Sequence, residues 1–268
     1  MFKSTTQLKE CSLRAWDGEI GRVKDLYFDS LHWTLRYFVV DTGKWLKHQS
    51  VLISPESVLT PEWDNHVLPA ELTQEQIRKS PGLESDKPVS RQYETAVRKH
   101  YNWPPYWGAV YGDVIAGLPP VGAPPAPTPA QPVEARDLDG DPHLFSINAV
   151  IGHHVVATDG EIGHVSDFLI DDLHWTVRYL VVDTHNWLPD KKVLLSPWWV
   201  SDLDWPQRRI GMDLKRETIK GSPPYDPEKY YTAAESGVLH DYYGRPRHPS
   251  DDELIGEAIV GSDNPKYP

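Results

Sequence analysis

The chain has a single cysteine, Cys11, in 268 residues. An intrachain disulfide is therefore excluded, and so is a cysteine-rich metal cluster. No apolar run nears the roughly 18–20 residues of a membrane-spanning helix. The opening stretch MFKSTTQLKE lacks the apolar core of a secretory leader, so a cytoplasmic protein is expected. No nucleophile elbow GxSxG, no Walker loop and no HExxH motif occurs, which leaves common signatures of hydrolase, nucleotide and zinc-protease chemistry unfilled. A basic surplus is missing too. Lys plus Arg total 27 against 39 Asp plus Glu, a net charge of −12. A nucleic-acid binder releases counterions through a basic footprint, so no nucleic-acid partner is expected.

Aromatics are plentiful: 11 Trp and 13 Tyr add large apolar area per residue to an apolar fraction of only 39%. That suffices for two cores of about 100 residues each. The acid is unevenly spread. Residues 1–107 are neutral, whereas 108–142, 143–249 and 250–268 each carry a net −4.

An internal repeat organises the chain. Asp17-Gly18-Glu19-Ile20-Gly21 returns as Asp159-Gly160-Glu161-Ile162-Gly163, an offset of 142. At that offset Leu31-His32-Trp33-Thr34 matches Leu173-His174-Trp175-Thr176, and Val39-Val40-Asp41-Thr42 matches Val181-Val182-Asp183-Thr184. Over residues 16–58 there are 25 identities in 43 positions without a gap. The period is far too long for a solenoid and marks a duplicated domain. Between the copies, Leu118–Pro132 holds seven prolines in 15 residues, a composition that favours an extended polyproline spacer. The expected organisation is a first module over 1–107, a linker over 108–142, a second module over 143–249 and an acidic tail over 250–268. Leu254, Ile255, Ile259 and Val260 are the tail's apolar side chains.

Within each copy the pattern is that of strands. Asp17-Gly18 is a hairpin turn signal. Glu19–Asp29, Thr34–Asp41 and Val51–Ser54 read as strands, rich in β-branched and aromatic residues. Each copy then turns helical. Thr73 with Gln76 forms a capping box, and a second helix is expected from about Ser90 to His100. Lys215–Lys220 and Tyr231–Tyr243 are the counterparts. The expected fold is mainly β with short helices: two tandem small β-barrels, each followed by a helical extension.

The run DGEIGRVKDLYFDSLHWTLRYFVVDTGKWL with VLISP, and its repeat DGEIGHVSDFLIDDLHWTVRYLVVDTHNWL with VLLSP, resemble the PRC-barrel family. LTQEQIRKSPGL and YNWPPYWG resemble the extension of its bacterial stand-alone members. The resemblance covers roughly residues 5–107 and 143–246. It implies a non-catalytic protein-binding or adaptor module, not an enzyme, with no cofactor and a protein partner. The family includes the cytoplasmic part of the photosynthetic reaction-centre H subunit. A second reading is therefore a peripheral accessory of a membrane electron-transfer complex. The other namesake, a ribosome-maturation factor, has an N-terminal domain without counterpart here, and no residue-level role transfers from either.

Chemistry in the residues themselves is sparse. His32 and His174 each follow an aspartate, Asp29 and Asp171, by three positions. These four are the candidates for a metal or proton-relay site, set against a plain turn-stabilising role. His153-His154 occurs in the second copy only. Asp137-Leu138-Asp139-Gly140-Asp141 lacks the third acid and the terminal Glu of a calcium loop. Cys11 has no base that the sequence places beside it. Asp41 and Asp183 are expected to accept turn N–H groups. Arg36 and Arg178 are expected to find cross-strand partners in Asp25 or Glu19 and in Asp167 or Glu161. The interaction candidates are Trp103, Tyr106, Trp107, Trp198 and Trp199, aromatics that the repeat does not share. They are expected either in a partner patch or in the seam of a pseudo-symmetric barrel pair. Trp33, Trp45, Trp175 and Trp187 are shared, and core or rim packing is expected for them.

Overall fold

A computed structural model describes residues 1–83, 89–107, 144–184, 191–229 and 231–246. The proline-rich spacer, the Asp137–Asp141 stretch, Trp187 and the four apolar tail residues lie outside the described residues.

The first half runs β1 (Phe2–Ser4), α1 (Thr5–Glu10), β2 (Ser12–Ala15), β3 (Gly18–Asp29), β4 (Thr34–Asp41), β5 (Ser50–Ile53), β6 (Val67–Pro69), α2 (Gln74–Arg78) and α3 (Arg91–Tyr101). The second half repeats it as β7 (Leu144–Ser146), α4 (Ile147–Val150), β8 (His154–Ala157), β9 (Gly160–Asp171), β10 (Val177–Asp183), β11 (Lys192–Leu195), β12 (Val200–Asp204), β13 (Arg209–Met212), α5 (Arg216–Gly221) and α6 (Ala233–Tyr243). The architecture is mainly β with short helices, in two sheets. One has the order β5-β4-β3-β2-β6, the other β11-β10-β9-β8-β13-β12. The Asp17-Gly18 turn joins β2 to β3, and the expected capping box opens α2, with Thr73 and Gln76 bonded reciprocally.

The repeated glycine of DGEIG is set by a close approach. A Cβ at Gly21 would stand 1.9 Å from the Asp41 carbonyl oxygen, and one at Gly163 1.9 Å from that of Asp183. Only a residue without a side chain lets the start of the long strand lie so close to the end of its neighbour.

The two halves exchange their first strands. β1 belongs by sequence to the first half but pairs with β9, placing Phe2 opposite Asp171 and Ser4 opposite Leu169. β7 pairs reciprocally with β3, placing Leu144 opposite Asp29 and Ser146 opposite Tyr27. Each exchanged arm is locked at the start of its helix. Asp167 accepts from the Thr5 N–H at 3.1 Å, from the Thr5 hydroxyl, and from the Thr6 hydroxyl at 2.7 Å. Asp25 accepts from the Ser146 hydroxyl and from the Asn148 N–H at 3.1 Å. These carboxylates satisfy donors that a helix start leaves open. Asp25 and Asp167 thus hold arms of the opposite half, not Arg36 and Arg178.

Between the sheets, Thr34 and Thr176 form an antiparallel bridge. The Leu35 N–H donates to the Trp175 carbonyl and the Val177 N–H to the Trp33 carbonyl, both at 2.7 Å. These are the same two bonds seen from either half, so a pseudo-twofold axis passes between the threonines. One hydrophobic cluster runs through both halves. Around the axis Phe28 stacks on Trp33 at 5.3 Å, touches Phe168 at 5.9 Å, and Phe38 meets Trp175 edge-on at 5.0 Å.

Candidate functional site

Asp29 ends β3 at the seam, buried to 5% exposure. The Leu31 N–H donates to its Oδ1, while His32 Nδ1 and Arg36 Nη2 each lie 2.8 Å from Oδ2. The arginine reaches this carboxylate because of a β-bulge. Tyr27 faces Tyr37 and Phe28 faces Leu35, which leaves Arg36 as the extra residue. A bulge re-aims its side chain, and neither Asp25 nor Glu19 is used. The second half keeps the device: Val177 faces Ile170 and Tyr179 faces Leu169, with Arg178 between them. The Leu173 N–H and His174 Nδ1 lie 3.0 and 2.9 Å from the Asp171 carboxylate. The two Asp-His pairs therefore close the β3–β4 and β9–β10 turns. Among the described residues, no group of three or more His, Cys, Asp or Glu is placed to hold a metal ion.

Burial raises the pKa of Asp29, but the hydrogen bonds from Arg36, His32 and the Leu31 N–H outweigh it and hold the carboxyl below its ordinary value. For Cys11 burial prevails. It is buried, and burial, with Glu10 nearby, pushes the thiol up to about 11. His153 occupies the equivalent place at the fixed offset. It is 5% exposed, and burial, with Arg208 and His154 nearby, pushes its pKa down.

The unshared aromatics divide three ways. Trp103 stacks on Tyr101 at 4.3 Å. Tyr106 donates to Glu94 Oε1 at 2.8 Å and lies 4.1 Å from the Arg36 guanidinium, while Trp107 lies 4.1 Å from that of Arg91. These three clasp α3 within the first half. They do not form the seam, which the shared Trp33 and Trp175 build with Phe28 and Phe38. Trp199 is buried against His240 and Tyr243, at ring distances of 5.1 and 4.6 Å. Trp198 stands 60% exposed.

Beneath α3 lies a charged cluster that sequence reasoning missed. Glu94 is fully buried and Arg98 is 3% exposed. Arg98 pairs with Glu56 at 2.5 Å and donates to Tyr37 Oη at 3.4 Å and to the Pro104 carbonyl. The second half carries Ser236 and His240 at those positions, and the Tyr179 and Ser236 hydroxyls lie 2.7 Å apart. An amphipathic helix pattern does not reveal that its inward polar positions hold two charged residues with separate partners, Glu94 with Arg91 and Arg98 with Glu56.

Arg36, Glu56 and Arg98 of the first half line a cleft of about 390 Å³ together with Leu173 and His174 of the second. At the offset of 142, Glu56 and Leu173 correspond to Trp198 and Leu31. The pseudo-twofold axis therefore gives the molecule two related seam faces. One carries Glu56 and Leu173; the equivalent positions of the other are Trp198 and Leu31, 60% and 63% exposed.

The family model of the PRC-barrel domain matches residues 142–211. The chain carries a PRC-barrel domain. The match spans β7 to β13, the arm and the sheet of the second half. The PRC-barrel is in general a non-catalytic module. No curated protein matches the chain. Among the described residues, no helix is long and apolar enough to cross a membrane.

Proposed function

We propose that the chain is a tandem PRC-barrel adaptor that binds another protein and catalyses no reaction itself. Its partner docks on the seam face that carries Trp198 and Leu31. The observation behind this reading is the exposure of Trp198, 60%, at a position where the other half has Glu56 in an ion pair. Tryptophan is enriched among the residues that dominate interface energetics, and contiguous exposed apolar surface marks interaction sites. The pairing of the halves supports the reading, because it makes the docking face from both of them.

The test compares the full chain with a Trp198→Glu variant, which restores the acid of the first half. Both are immobilised and exposed to native lysate, and the bound protein is then purified and titrated against each. The expected result is one stoichiometric partner whose affinity falls at least about tenfold, the loss of an interface hot spot. A partner bound equally by both forms would move the docking face elsewhere, and no partner at all would remove the adaptor reading.

A further inference from the structure

The first half fills a gap that the second half leaves open. Tyr93 of α3 reaches across to the loop after α2, and its hydroxyl donates to the Pro81 carbonyl at 2.9 Å. At the offset of 142 these positions are Glu235 and Pro223. Glu235 does not cross. Its carboxylate turns back to the start of α6, where it accepts from the Thr232 N–H at 3.2 Å and lies 3.9 Å from Lys229 Nζ. Between α6 and Pro223 there remains a pocket of about 300 Å³. Tyr179, Leu194 and Leu239 line it, and Val238 at its edge is 66% exposed.

The acceptor that Tyr93 uses is preserved. The Ser222 hydroxyl donates to the Pro223 carbonyl at 3.5 Å, as the Ser80 hydroxyl does to Pro81 at 3.4 Å. A carbonyl oxygen has two lone pairs, and in the first half the second one serves the phenol. The pocket is lined by apolar side chains and by Pro223, whose carbonyl takes the same serine bond as that of Pro81, and its size is at the lower end of ligand sites. Its two charged residues, Lys229 and Glu235, face each other, so a neutral ligand is favoured over an ionised one.

We infer that this pocket binds a para-hydroxyphenyl group, with the ring against Leu194 and Leu239 and the hydroxyl donating to the Pro223 carbonyl. The group is carried either by a small phenol or by a tyrosine side chain. The ligand chemistry is that of Tyr93 in the equivalent place, supplied from outside the chain. The inference does not depend on the seam face or on the adaptor reading.

The test titrates the full chain with p-cresol, with 4-methylanisole, which lacks the donor, and with N-acetyl-L-tyrosinamide, following methyl resonances of Leu194, Val238 and Leu239. One p-cresol per chain is expected, with 4-methylanisole several-fold weaker. A tyrosinamide that binds more tightly than p-cresol assigns the group to a protein; equal or weaker binding assigns it to a small phenol. Glu235→Tyr supplies the plug internally and abolishes binding. Leu239→Trp, which fills the same space, does so if the first variant fails to fold. Tyr93→Ala opens the equivalent gap and raises the stoichiometry to two. Absence of saturable binding, equal binding of 4-methylanisole, or unchanged binding by folded plugged variants would overturn the inference.

Discussion

Thr34 and Thr176, equivalent residues of the two repeats, face each other across the seam. The main-chain bonds that flank them, Leu35 N–H to Trp175 and Val177 N–H to Trp33, are both 2.7 Å long. Two strands from different halves meet there as neighbouring strands of one sheet do. The turns that deliver them are strained alike: Trp33 and Trp175 both have φ of 54°, a left-handed conformation that is rare for bulky residues. Such strain persists where the surroundings over-determine it. Here each tryptophan offers its carbonyl to the opposite half and its ring to the shared core.

The seam rings are expected to carry much of the stability. Trp33→Ala removes the stack on Phe28, and Trp175→Ala the edge contact to Phe38. Each is expected to cost about 3–5 kcal/mol in urea unfolding. Trp198→Ala, at an exposed position, is expected to change stability by less than about 0.5 kcal/mol.

The exchanged arms give a second expectation. Asp167→Ala deprives Thr5 and Thr6 of their acceptor in the opposite half. A loss of about 1–2 kcal/mol is expected, the range of a helix cap. Amide hydrogen exchange should accelerate over residues 2–10 while β10 and β11 stay protected. Exchange that rises equally over both sheets would contradict the arm's role as a local lock.

Asp29 gives a third, through pH. Its folded pKa lies below the ordinary carboxylate value because the bonds from Arg36, His32 and Leu31 outweigh burial. A depressed acid contributes stability above its unfolded pKa, near 4. That contribution is lost as pH falls through the lower, folded value. The advantage of the native protein over Asp29→Asn is therefore expected to be full at about pH 6 and to shrink below about pH 4. Urea unfolding across that range measures it, and a constant difference would sink the assignment.

Much of the fold was legible because strand period and turn chemistry are local. The strand over Thr34–Asp41 has the ends its β-branched and aromatic run predicts, Thr73 and Gln76 form the capping box, and the helix expected from Ser90 begins one residue later, with Ser90 as its cap. The arm exchange was not legible. Phe2 and Leu144 carry no mark of which sheet they join, since three-residue strands gain their place by tertiary pairing alone. Nor was the Arg36–Asp29 contact, because alternation along a strand assumes regular pleating and the bulge breaks it. The aromatic candidates were found by their absence from the other copy. That criterion separates the halves but not the surface from the interior: Trp198 lies outside, whereas the neighbouring Trp199 lies inside.

The pairing of the halves across Thr34 and Thr176 is tested most directly by a cross-link. The flanking bonds make this a pair whose Cα atoms in an antiparallel ladder are about 4.5 Å apart, within the reach of a disulfide. Thr34→Cys with Thr176→Cys is introduced into the full chain and oxidised mildly at low protein concentration, with the buried Cys11 left in place. The account predicts rapid, complete formation of one intramolecular disulfide, mapped by mass spectrometry to positions 34 and 176, in a chain that stays monomeric under denaturing, non-reducing conditions. Free thiols at both positions, or cross-links only between chains, would contradict it.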